Sequence, residues 1–316
     1  MKKILKVLGL IVILFIIATA ALGHGSGSSG ETKAITQEKS DSKSSDSKDS
    51  GATDSKEETK AAEKEEKAAS LSIEEQVLVD KDGLKITAKE WVEDSLWGDG
   101  IKLLIENDSD KNLGVGCNAL IVNNYMVSDL FSETVAAGKK SNKTLNIFSS
   151  SLKNTGIKEV GQIEIYFHVY DGDSYATLFD CEPVTIKTSA FDNMEIVKND
   201  DGQELYNQDG IRIVGKFVDE NSFWGTAILL FIENNTERNI CVQCDDMSIN
   251  GFMVTPFFSS TVYAGRMALD DITIMNSDLE ENDIETVEDI ELKFHIFDND
   301  SFSTIKDTDT IAFSAK

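Results

Sequence analysis

Proline is nearly missing from this chain, with two residues among 316, and cysteine is scarce, with four. So few cysteines cannot supply a disulfide framework, so a packed apolar core must hold the fold together. Three histidines leave about one for each half of the body, whereas a zinc centre needs three or four convergent ligands. No P-loop, nucleophile elbow or paired-histidine zinc motif occurs in the body of the chain, so the sequence points to no enzyme, metal or cofactor. Positive charge is also short: 30 Lys and Arg face 56 Asp and Glu, a net charge of −26. Most of the excess lies late, −18 over residues 191–316 against −8 over 71–190. Such a surface repels phosphate backbones, which excludes nucleic acid as a partner, and reads first as a solubility device.

Long apolar runs are absent but for one. Lys2, Lys3 and Lys6 lead into uncharged Val7 to Gly23, between a signal-peptide core and a short membrane span in length. Lysines on the N-terminal side keep that end in the cytoplasm and send the rest outward. Ala18-Thr19-Ala20 offers a small-residue cleavage site, and with no cysteine nearby a lipid-modified N-terminus is excluded. Residues 1–23 are therefore a signal peptide or membrane anchor, and the body is extracytoplasmic, either anchored or secreted. Residues 24–70 turn to Gly, Ser, Lys, Asp, Glu and Ala, with too little apolar surface to offset chain entropy: a disordered polar linker.

What is plentiful is alternation. In Gln162 to Asp171, Ile163, Ile165, Phe167 and Val169 alternate with Glu164, Tyr166, His168 and Tyr170. In Asp289 to Asp298, Ile290, Leu292, Phe294 and Ile296 alternate with Glu291, Lys293, His295 and Phe297. A period of two with β-branched and aromatic residues is a half-buried strand. The two stretches lie 127 positions apart, and Asp82 to Ser189 aligns without a gap on Asp209 to Lys316, with over a quarter of positions identical. Lys81-Asp82-Gly83 and Gln208-Asp209-Gly210 read as turns. Asn123-Asn124 and Asn250-Gly251 read as two-residue hairpins, because those residues tolerate positive φ. Ser277-Asp278-Leu279-Glu280 has the spacing of a capping box.

Each repeat holds roughly eight short strands, which implies two tandem antiparallel β-sandwiches, residues 71–190 and 191–316, with small barrels as the alternative. A copy of about 110 residues can bury one core and fold alone. Acidic Ala190 to Gln203 reads as the connector.

Several side chains tempt a chemical reading. Cys241 and Cys244 form one Cys-x-x-Cys, but Cys241 matches Gly114 in the first copy, so structural thiols are expected. Ser150-Ser151-Leu152-Lys153 fits a penicillin-recognising Ser-x-x-Lys, yet the copy carries Glu280 where the lysine stands and the rest of the signature is missing. Asp171, Asp173, Asp180 and Glu182, with Asp298, Asp300, Asp307 and Asp309, lack the glycine and third acidic residue of an EF-hand, leaving hairpin-edge carboxylates. Trp97 and Trp224, each in a loop before glycine, and Tyr125, Met126, Phe257 and Phe258 around the Asn123-Asn124 and Asn250-Gly251 hairpins are candidate ligand contacts, or else plugs at the ends of a core.

Asp-Gly-Leu-Lys-Ile (82–86), Ile-Glu-Asn (105–107), the Asn123-Asn124 pair and Phe-His-Val-Tyr-Asp (167–171) resemble bacterial exported domains of unknown function. Those families have an immunoglobulin-like sandwich similar to the mycobacterial immunoprotective extracellular protein. Over residues 71–316 the resemblance implies that fold, an extracytoplasmic setting and surface binding or adhesion, and it brings no catalytic residue. The expectation is a non-catalytic binding module whose partner is a cell-surface protein or glycan, with the membrane contacted through the N-terminal segment. The alternatives are a structural cell-envelope spacer and an unrecognised hydrolase.

Overall fold

A computed structural model describes residues 70–93, 98–222 and 225–314. The apolar run, nearly all of the polar linker, Trp97 and Trp224 lie outside the described residues. Among the described residues no helix is long and apolar enough to cross a membrane. Repeat 1 runs through β1 (Gln76–Lys81), β2 (Leu84–Val92), β3 (Gly100–Asn107), β4 (Leu113–Val122), β5 (Tyr125–Val127), β6 (Ser132–Val135), β7 (Lys139–Asn146), the short helix α1 (Ser149–Leu152), β8 (Gln162–Asp171), β9 (Thr177–Asp180) and β10 (Val184–Lys187). Repeat 2 follows with β11 (Gln203–Gln208), β12 (Ile211–Ser222), β13 (Gly225–Asn234), β14 (Ile240–Ile249), β15 (Phe252–Val254), β16 (Pro256–Phe257), β17 (Ser259–Val262), β18 (Arg266–Met275), the short helix α2 (Asn276–Glu280), β19 (Asp289–Asp298), β20 (Thr304–Asp307) and β21 (Ile311–Ser314).

The strands exceed the expected eight because the return run after each hairpin breaks. In repeat 1, β5 pairs with the end of β4 and β6 with its beginning. Between them Phe131 turns inward to plug the core, its amide donating to Asp129 Oδ1 at 2.9 Å.

Each repeat is a two-sheet antiparallel β-sandwich. In repeat 1 the sheet β1-β2-β3-β7 faces the sheet of β4, β5, β6, β8, β9 and β10. Leu84, Ile86, Ile101, Leu103 and Ile105 from one sheet meet Val115, Ile163, Ile165, Phe167 and Val169 from the other, all wholly out of water. Repeat 2 repeats the scheme, with Ile213, Ile228, Leu230 and Ile232 against Val242, Leu292, Phe294 and Ile296. Each such side chain contributes roughly 1.5–3 kcal/mol through burial.

The turns follow the local chemistry. Asp82-Gly83, Asn123-Asn124, Asp209-Gly210 and Asn250-Gly251 all take positive φ at both positions, which matches the twist of the flanking strands. The shared Ile-Glu-Asn ends in a wholly buried asparagine. Asn107 Nδ2 donates to the carbonyls of Lys111 and Val135 at 2.7 and 2.8 Å, while its Oδ1 accepts from the Ser109 amide and hydroxyl. Asn234 does the same with Arg238, Val262 and Thr236. The capping box does not form: Met275 occupies the N-cap without a side-chain bond, and Asp278 accepts instead from the Thr255 amide at 2.9 Å.

The repeats are not separate beads. β5 of repeat 1 pairs in parallel with β18 of repeat 2, Tyr125 opposite Met267 and Met126 opposite Ala268. This pairing joins the six-stranded sheet of repeat 1 to the four-stranded sheet of repeat 2, and with β16 it makes an eleven-stranded sheet. A small second core of Tyr125, Val214, Phe231 and Met267 lies under the seam. Beside it Arg266 forks onto both oxygens of Glu164 at 3.0 and 2.8 Å and also donates to Asn124 Oδ1 at 3.0 Å. The connector docks here too: Tyr125 Oη donates to the Val197 carbonyl and accepts from the Asn199 amide, both at 3.0 Å. The matching edge in repeat 1 is β7, where Lys139, Lys140 and Lys143 stand in place of Arg266, Met267 and Asp270. Lysines on a free edge oppose further pairing.

Candidate binding face

The alternation of β8 sends its apolar residues inward and leaves Glu164, Tyr166, His168 and Tyr170 on the outer face of the sheet. Glu164 is covered by Arg266. Tyr166 meets Tyr263 of repeat 2 edge-on, centroids 4.8 Å apart. From there the aromatic residues run away from the seam. His168 and Tyr170 are near-parallel at 5.9 Å, and Tyr170 and Tyr175 near-parallel at 6.0 Å. Tyr170 lies over Gly114 on β4, where a Cβ would fall 2.0 Å from the ring, and its hydroxyl is hydrogen-bonded to Ser132 Oγ at 3.0 Å. Repeat 2 builds the same row from His295, Phe297 and Phe302, with centroids at 5.3 and 6.2 Å.

The outer ring of each row is held in an unusual way. Tyr175 is 76% and Phe302 72% exposed, and both adopt positive φ, 60° and 57°. A bulky side chain in that region is strained by about 1–3 kcal/mol. The turn before it enforces the conformation. Asp171 Oδ1 accepts from the amides of Asp173 and Ser174 and from the Ser174 hydroxyl, and the Tyr175 amide donates to the Asp171 carbonyl at 2.8 Å. Asp298 organises Asp300, Ser301 and Phe302 identically. These donors hold both carboxyls below their ordinary pKa, the Ser174 and Ser301 amides leading. The hairpin acids thus act as turn anchors.

Polar groups flank the rings. Asp180 Oδ1 is hydrogen-bonded to His168 Nδ1 at 2.7 Å and accepts from Asn118 Nδ2 at 2.8 Å, and the histidine bond is the main cause of its lowered pKa. Asn112 Nδ2 donates to Asp173 at 3.0 Å. His295 Nδ1 is paired with Asp307 Oδ1 at 2.5 Å.

The expected contacts fare unevenly. Tyr125 is corrected: it is wholly buried in the seam, where its ring meets Phe231 edge-on at 6.5 Å, and no external ligand reaches it. Phe258 is half-buried against the repeat 2 core, a plug. Phe257 is 41% exposed but pairs through β16 with Thr273, far along β18 from the seam. Trp97 and Trp224 lie outside the described residues. Tyr175 and Phe302, not among the expected contacts, are the most exposed rings among the described residues. Their signal was present as an aromatic at one offset after Asp-x-Asp-Ser in both copies. Cys241 and Cys244 sit buried on β14, and burial pushes the Cys244 thiol up to about 12, so neither is a ready nucleophile.

No family model matches the chain, and no curated protein matches it. Similar solved structures include the YadV chaperone at 11% identity, covering 66% of this chain and 90% of that one with a TM-score of 0.22. The Salmonella enterica SafA pilin in complex with the SafB chaperone is 9% identical, covering 68% and 88% with a TM-score of 0.19. A protein of unknown function from Porphyromonas gingivalis W83 is 12% identical, covering 68% and 90% with a TM-score of 0.20. TM-scores this low carry no argument about fold, partner or activity.

Proposed function

We propose that this chain is an exported, non-catalytic binding module of the exported immunoglobulin-like kind that its sequence resembles. Its N-terminal segment serves as signal or anchor, and its two outer aromatic rows take a polysaccharide. One observation carries the reading: both repeats hold an exposed ring in a strained backbone conformation at the end of a row. Strain repeated at equivalent positions, with the ring facing water, indicates selection for what the ring touches rather than for stability. Rings flanked by amides, hydroxyls and carboxylates suit a sugar chain, which offers C–H faces for stacking and hydroxyls for hydrogen bonds. The acidic surface disfavours an anionic polymer.

Affinity electrophoresis of the full chain through gels containing insoluble-wall or soluble neutral polysaccharides tests this. Each ring is worth about 0.5–1.5 kcal/mol of stacking, so Tyr175→Ala and Phe302→Ala each weaken retention roughly 2- to 10-fold, and the double variant does so more strongly. Tyr175→Gly is expected to stabilise the fold while weakening retention. No retention by any glycan, together with unchanged behaviour of the variants, favours a spacer. A hydrolase needs a cleft in one repeat and not its twin. Two edge clefts share equivalent positions in the repeats, Gln76 and Thr185 in one and Gln203 and Ala312 in the other, so that pair belongs to the architecture.

A further inference from the structure

The two repeats carry one strand histidine each, and spacing along the chain points to no convergent ligands around either. Repeat 1 has a closed arrangement, in which Asp180 receives the amide of Asn118 and the imidazole of His168. Repeat 2 keeps the imidazole and the carboxylate, His295 and Asp307, but places Asp245 where repeat 1 has Asn118. An amide that donated is thus exchanged for a carboxylate, whose oxygens are acceptors. The backbone holds all three groups together. A bulge in β14 between Cys244 and Met247 turns out Asp245, and the ladder sets His295 opposite Asp307. Their ligand atoms all lie within 4.8 Å of one another. The neighbouring cation Lys293 is engaged by Asp246 at 3.1 Å.

We propose that repeat 2, and not repeat 1, binds one divalent transition ion, zinc or manganese, through Asp245, His295 and Asp307. One imidazole nitrogen with two carboxylate oxygens suits such ions, whereas calcium prefers an all-oxygen set. Small rotations of the two exposed aspartates bring their oxygens to bonding distance, about 2.0–2.2 Å for zinc. The site adjoins the inner ring of the second aromatic row, yet it stands whatever that row binds. Three protein ligands leave coordination positions for water or a ligand hydroxyl.

The twin repeats provide the test. The chelator-stripped full chain is dialysed against zinc, then manganese, and bound metal is counted by mass spectrometry, with circular dichroism confirming the fold. One ion per chain is expected, none for Asp245→Asn, which restores the residue repeat 1 already carries, and two for Asn118→Asp. No bound ion in the parent chain, or an unchanged count in either exchange, overturns the assignment.

Discussion

Tyr125 and Phe252 occupy the same place in the two repeats, yet they should respond to truncation in opposite ways. Tyr125 has no exposed surface, packs on Phe231 across the seam and uses its hydroxyl twice on the connector. Phe252 is 49% exposed on β15, an edge strand that pairs with β14. Removing a buried aromatic ring costs about 3–5 kcal/mol. The orphaned Val197 carbonyl and Asn199 amide add about 1 kcal/mol each. Tyr125→Ala should therefore cost about 5–7 kcal/mol, and Phe252→Ala less than about 1 kcal/mol. Tyr125→Phe separates the contributions, since it keeps the ring and loses only the hydroxyl, about 1–3 kcal/mol. Urea denaturation of the full chain followed by circular dichroism reads all three. Because Tyr125 couples the repeats, its truncation should also split one transition into two. If Phe252→Ala costs as much as Tyr125→Ala, the energy belongs to the hairpin and the seam argument fails. If Tyr125→Ala costs under about 1 kcal/mol, the seam is not an energetic coupling at all.

Asn107→Ala and Asn234→Ala each strip partners from one buried carbonyl, one part-buried carbonyl and a turn amide, and should destabilise their repeats by about 2–4 kcal/mol. The same urea experiment checks this, and a cost near zero in either repeat would show that water replaces the side chain. Asp171 and Asp298 have folded pKa values below the ordinary carboxyl value, so the stability they contribute is present above about pH 4 and is lost as pH falls through the lowered value. Asp171→Ala with Asp298→Ala should therefore lower the urea midpoint at neutral pH and flatten its decline in acid. Profiles that stay parallel to the parent chain would count against the turn-anchor role.

Much of the sandwich could be read from residues alone. The alternation in Gln162 to Asp171 named the inward faces, and the Asp-Gly, Asn-Asn and Asn-Gly pairs named the turns, because both depend on neighbours one or two positions away. The offset of 127 disclosed the doubling. Legibility ended where distant residues meet. Nothing near Tyr125 distinguishes it from Phe252, and only the parallel pairing with β18 buries one and leaves the other in water. The strain at Tyr175 and Phe302 likewise arises from backbone geometry that an aromatic residue does not announce.

The sequence by itself determined two sandwiches in series, their long alternating strands and their hairpin turns, since pleat periodicity and left-handed turn residues are local properties of the chain. Only the tertiary structure decided that the repeats share one sheet, that Glu164 is covered by Arg266, and that Asp245 joins His295 and Asp307. Those outcomes depend on side chains that approach one another across strand ladders and across the seam, where spacing along the chain carries no information about distance.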